Sequence, residues 1–170
     1  MWILEQYKKW RNRHKAKTLQ SRDDFRAKSV CIEKAMRKWP NSKTGKEMDK
    51  MCPLKHTFVD GMYVREIFMP KGTLIVSKIH RWKHPYFVIK GDTSVLTEEG
   101  VVRIKAPYAG ITERGTKRVL FMHEDTVWIT VHATKSKDLE VIEEQIISKT
   151  FDDLPFEEGK IAEFHKEMIA

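Results

Sequence analysis

This 170-residue chain is short of most features that announce a function. It has two cysteines, Cys31 and Cys52. Their separation suits neither a zinc site nor a disulfide framework, and a reduced, cytoplasmic setting is expected. No run of about 18 apolar residues occurs, so no membrane-spanning helix is expected. The opening residues, MWILEQYKKW, lack the basic-then-apolar order of a secretory signal. No Ser-His-Asp order, phosphate loop or dinucleotide fingerprint is present. The stretch SKTGK at 42–46 lacks the spacing of a phosphate loop and has no strand before it. There is no internal repeat.

Charge is plentiful, at 33% of residues, with a net of +8. It is unevenly spread. Residues 1–50 carry 15 Lys/Arg against 6 Asp/Glu, residues 51–135 carry 13 against 8, and residues 136–170 carry 4 against 10. These three units are read as a basic helical arm, a β-barrel and an acidic helical tail. The arm and tail are expected to neutralise each other, within the chain or across a dimer. Nucleic-acid binding by the basic arm is the less favoured reading.

Hydrophobic spacing predicts a helix over 2–17, where Ile3, Tyr7, Trp10 and His14 recur, and a second over 23–39. In the second, Phe25, Ile32, Met36 and Trp39 form one stripe and Pro40 ends it. Residues 41–46 read as a polar linker. From 62 to 132 the texture is that of strands, with Val, Ile, Thr and aromatics between turn residues. Strands are predicted at 62–69, 73–79, 86–90, 93–97, 101–105, 108–112, 117–122 and 126–132. Short strands at regular spacing indicate an all-β sandwich or barrel. Helical spacing returns with Leu139, Ile142 and Ile146, breaks at 151–156, and resumes with Ile161, Phe164 and Met168.

The chemistry concentrates in KIHRWKHPYFVIKG, residues 78–91. Residues two apart on a strand share a face, so Leu74, Val76, Lys78 and His80 are expected to point into the barrel together. Arg118 shares a face with Leu120 and Met122. Lys78, His80, His84 and Arg118 would then line one pocket. Arg and Lys suit a carboxylate or phosphate, and Trp82 and Tyr86 could stack on a ligand. A divalent metal at His80 and His84 needs more ligands. His132 could supply a third imidazole, and Glu66 or Glu113 a carboxylate. Arg65 and Glu66 point to opposite faces, so one is inward and needs a partner or a ligand. His56 reads as a structural hydrogen-bonding group.

Residues 54–133 resemble the cupin family, which builds a small jelly-roll barrel. Gly72 opens and Gly91 closes what looks like its first motif. Lys78 and His80 fall on the His-x-His pair and His84 on the Glu. Arg118 falls where the second motif has a His. The resemblance implies a mainly β, cupin-like jelly roll flanked by helices, with a divalent metal as cofactor in many members. A wider set of residues, among them CPLKH at 52–56, GTKR at 115–118 and EDTVWITVH at 124–132, is similar to short cupin proteins of bacteriophages and prophages.

The expected function is a phage-encoded binding module. Its cationic pocket would take a small anionic ligand, such as a nucleotide, a nucleotide-derived signal or a sugar phosphate, and sequestration of a host immune messenger would be one use. The first alternative is an isomerase or oxygenase in which His80 or His84 is catalytic, with or without a metal. The second is a structural protein. Cupin barrels commonly pair, so a homodimer or higher oligomer is the default partner.

Overall fold

The computed structural model describes residues 22–97 and 100–154. The helices expected at 2–17 and around 161–168 lie outside the described residues. A helix, α1, occupies 22–36. It stops three residues short of Trp39 because the next bonds tighten. Lys38 N–H donates to Ala35 O and Trp39 N–H to Met36 O, an i→i−3 turn that leads into Pro40. Trp39 is left 54% exposed, off the buried stripe. A short helix that the spacing does not predict, α2 (Lys46–Met51), follows.

The rest is an antiparallel barrel of two main sheets. The strands are β1 (Leu54–Val59), β2 (Met62–Met69), β3 (Leu74–Val76), β4 (Ile79–His80), β5 (His84–Lys90), β6 (Asp92–Thr97), β7 (Gly100–Lys105), β8 (Tyr108–Thr112), β9 (Val119–Met122), β10 (Thr126–Ala133) and β11 (Ile147–Ser148). Helix α3 (Leu139–Ile146) precedes β11. One sheet runs β1-β2-β10-β5-β8 and faces a second, β3-β9-β6-β7, while β4 pairs only with β11. This is the mainly β, jelly-roll barrel expected.

Two elements differ from expectation. The first is β1, which pairs with β2 from Leu54↔Ile67 to Val59↔Met62. Its turn is Asp60–Gly61, both at positive φ, an Asp-Gly hairpin signal of the strongest kind. The second is the stretch 73–79, which is not one strand. It breaks at Ser77–Lys78, where Ser77 accepts the Arg118 N–H through its hydroxyl.

Between the sheets lie Met69, Ile75, Tyr86, Val88, Val95, Ile104, Leu120, Met122 and Trp128. Val88 and Met122 are fully buried, each contributing about 1.5–3 kcal/mol by leaving water. Gly110 makes the aromatic packing feasible, since a Cβ there would come within 2.6 Å of the Tyr86 ring. Gly91, at φ +101, turns the chain so tightly that a Cβ would lie 2.6 Å from Asp125 O.

A second cluster closes one end. Ile142 and Ile146 of α3 pack with Ile147 on Tyr63. Asp138 caps α3 by accepting from the N–H groups of Glu140 and Val141. Helix α1 docks on the barrel through Glu33, which holds the buried Lys117 ammonium at 2.7 Å.

Candidate functional site

Three histidines from three strands converge inside the barrel. His80 ends β4, His84 opens β5 and His132 lies near the end of β10. Each comes from a face set by register. His84 pairs with Thr112, and His132 pairs with Tyr63. Along β10, His132 therefore shares its face with Trp128, the inner face of the sheet.

All three residues are buried, at 8%, 4% and 4% exposure. Ring centroids are 4.5 Å apart for His80–His84, 4.2 Å for His84–His132 and 6.1 Å for His80–His132. One nitrogen from each lies within 4.8 Å of the other two. The three residues could hold a metal ion.

Hydrogen bonding shows which nitrogens are on offer. His84 Nδ1 lies 2.9 Å from Trp82 O. A carbonyl only accepts, so Nδ1 carries the proton and Nε2 presents a bare lone pair. That Nε2 is buried with no hydrogen-bond partner, and so is His80 Nδ1. A buried polar atom without a partner is costly. Two such atoms facing a third imidazole are what a metal-binding set looks like without its ion. The Nδ1–H to carbonyl bond is also the usual way a ligating histidine is oriented. His132 Nε2 contacts Thr130 Oγ1 at 3.1 Å.

Electrostatics point the same way. Burial, then the charges of His84, His132, Arg118 and Arg65, hold His80 well below the ordinary histidine pKa. Burial, then Arg118, lowers His84 against the opposing pull of the Trp82 carbonyl. His132 is pushed down to about 3 by burial, then by His84 and Arg65. The cluster is neutral at pH 7, the form in which imidazole ligates.

Arg118, just ahead of β9, reaches across from the second sheet towards β5, β8 and β10. Its Nη1 donates to Thr112 Oγ1 at 3.0 Å, and its guanidinium lies 5.0 Å from the Tyr86 ring centre and 5.9 Å from that of Trp128. No carboxylate pairs with it among the described residues. Burial lowers its pKa, as it does for any cation drawn out of water.

The other expected residues are elsewhere. Lys78 is exposed and pairs with Glu143 of α3. Ile75, not Leu74 or Val76, is the core-facing residue of β3, so Lys78 lies on the outer side with Val76. Trp82 is 49% exposed and donates from Nε1 to Gln145 O. Tyr86 is core, stacked on Trp128 at 4.6 Å, so its ring is not free for a ligand base. Neither candidate carboxylate reaches the histidines. Glu113 pairs with Lys83 at the surface, 2.8 Å away. Glu66 sits opposite Ile129, on the outer face. Of the neighbours Arg65 and Glu66, Arg65 is the inward one. His56 bonds the Tyr63 hydroxyl through Nδ1 at 2.6 Å.

One part of the site has no sequence signal that we read, namely the tail that fixes β4. Ile147 pairs with His80, Arg81 N–H donates to Ile146 O at 2.8 Å and Arg81 Nε to Ile147 O at 2.7 Å.

No protein-family model and no curated protein matches the chain. Solved structures do resemble it. The Cupin_2 domain of an XRE-family transcriptional regulator from Enterobacter cloacae is 12% identical with a TM-score of 0.41, covering 48% of this chain and 94% of that one. An acetylacetone dioxygenase from Acinetobacter johnsonii is 18% identical with a TM-score of 0.41, covering 56% and 76%. The Cnp3 cupin domain of Schizosaccharomyces pombe is 15% identical with a TM-score of 0.43, covering 62% and 75%. The similar structures are repeatedly cupin-domain proteins.

Proposed function

We propose that this barrel binds a divalent transition metal at His80, His84 and His132, and a small anionic ligand beside it at Arg118. The observation that carries the reading is the pair of buried, partnerless nitrogens, His80 Nδ1 and His84 Nε2, facing a third neutral imidazole. Three imidazoles suit zinc, iron, copper or nickel better than calcium or magnesium. An ion held by three protein ligands keeps a position open and supplies Lewis acidity to whatever occupies it.

Support for the anion comes from Arg118. A half-buried guanidinium set against a hydroxyl and two rings, with no carboxylate partner among the described residues, has room for a counter-charge. A carboxylate or phosphate oxygen would provide it through a charge-assisted bond. With Trp82 outside and Tyr86 occupied, the site favours recognition of the anionic group itself rather than of a nucleotide base.

The test is elemental analysis with native mass spectrometry of the purified chain, before and after a chelator. One transition-metal ion per chain, lost on chelation and absent from His84→Ala, is expected. Failure to take up zinc, ferrous iron, copper or nickel on reconstitution would overturn the metal reading. A co-purifying anion lost in Arg118→Ala would support the second half, and equal retention by that variant would sink it.

A further inference from the structure

A second feature lies beside the histidines, where Tyr63 stacks on His132 and Ile147 pairs with His80. Between the inner face of the β1–β2 hairpin and α3 runs a cleft of about 490 Å3, a size typical of small-molecule sites. Leu54 and Leu139 form its accessible apolar wall over a floor of the buried Ile142 and Ile146, and Arg65 is its one cation among the described residues. Leu139 is left 43% exposed there.

Arg65 is on the inner face because its register partners are His56 and Thr130. It is half-buried and has no carboxylate partner among the described residues. The two acids that line the cleft, Asp49 and Glu143, are exposed, and Glu143 is engaged by Lys78. Beside Arg65 the His56–Tyr63 pair is already satisfied. Its members are hydrogen-bonded at 2.6 Å and stacked with centroids 5.8 Å apart. The cleft thus joins one uncompensated guanidinium, a neutral polar wall and an aliphatic trough.

We propose that this cleft binds an amphipathic monocarboxylate. The head group pairs with the Arg65 fork, and the alkyl chain lies along Leu54 and the exposed Leu139, over the floor that Ile142 and Ile146 close. A single guanidinium matches a single carboxylate in charge and shape. Asp49 and Glu143 at the rim disfavour a dianion such as a phosphate monoester. The trough contributes affinity through apolar burial, which grows with chain length. The site goes beyond the metal centre and does not depend on it.

The probe is decanoate, titrated calorimetrically into the full chain freed of metal by a chelator. Saturable binding is expected, with decanol and decyl phosphate both weaker. Arg65→Gln should weaken decanoate by about tenfold or more, the usual worth of a charge-assisted bond, and leave decanol unchanged. Leu139→Ser, a change at the exposed mouth that does not threaten folding, should shrink the gain from hexanoate to decanoate. His84→Ala should bind decanoate normally, so loss of the metal centre and loss of this site are separate results. Absence of decanoate binding, decanol binding as tightly as decanoate, tighter decyl phosphate, or an unaffected Arg65→Gln would each overturn the proposal.

Discussion

The barrel contains two polar clusters of opposite character, one a buried acid held by surface cations and the other a set of buried histidines. Around Asp92, which is 5% exposed, every polar group has a partner. Arg103 grips the carboxylate with Nε at 2.6 Å and Nη2 at 2.9 Å, and Lys105 stands at 3.6 Å. The Asp92 carbonyl accepts from the N–H groups of His123 and Glu124. Around His80, His84 and His132 there is no carboxylate among the described residues, and two nitrogens are unbonded. A satisfied network is a brace, and its whole value is realised in the folded chain. An unsatisfied one lowers stability, and that cost is recovered only when something binds.

The sharpest way to break this contrast is to cut one member of each cluster. His84→Ala should reduce metal affinity by more than the 10–100-fold typical for loss of a residue that merely orients a ligand. Asp92→Asn should leave metal uptake unchanged and lower Tm. Equal metal binding by both variants, measured by competition with a chromophoric chelator, would erase the distinction. Next in size is stabilisation by the ion. Metal at a hundredfold excess over its Kd should add about 2.7 kcal/mol to the wild type and nothing to His84→Ala, read from urea midpoints.

Acid provides a third probe. The histidines' folded pKa values lie below 6.5. Below pH 6.5 the unfolded chain therefore takes up protons that the folded chain refuses. Stability of the metal-free protein should fall as pH drops from about 6.5 towards the His132 value of about 3. The Asp92 pKa is lowered from 3.8 by its bond to Arg103, so its contribution is lost only below that point. Denaturant midpoints that stay level from pH 7 to pH 5 would contradict this assignment. The smallest effect belongs to Lys78→Ala. Removing an exposed pair should change stability by about 0–1 kcal/mol and leave metal binding untouched.

Much of this architecture was readable from residue spacing, and the exceptions are instructive. The alternation of the strands and their Gly-containing turns revealed the barrel. The His80–His84 segment and the inner-face position of His132 pointed to the histidines. Lys78 was misplaced because the faces of β3 were read one residue out: Ile75 is the inward residue, so Val76 and Lys78 face outward, and the interruption between β3 and β4 is what lets His80 turn in. The β1 strand was passed over although Asp60–Gly61 marks its turn. Trp82 and Tyr86 look alike in sequence. Only the stacking on Trp128 and the reach of α3 separate a core ring from a surface one. The pairing of β4 with β11 spans more than sixty residues, a separation at which local pattern carries no information.

That long-range pairing sets an order of events. Residues 146–148 are the last of the described elements to be made, yet Ile146, Ile147 and Ser148 grip β4 and Arg81. A nascent chain with the whole barrel already extruded has His80 held on one side by its backbone bonds with Gly115 and Thr116 and lacks only the β11 side of β4. The tail is therefore a second brace, added to a histidine cluster that the barrel has already brought together.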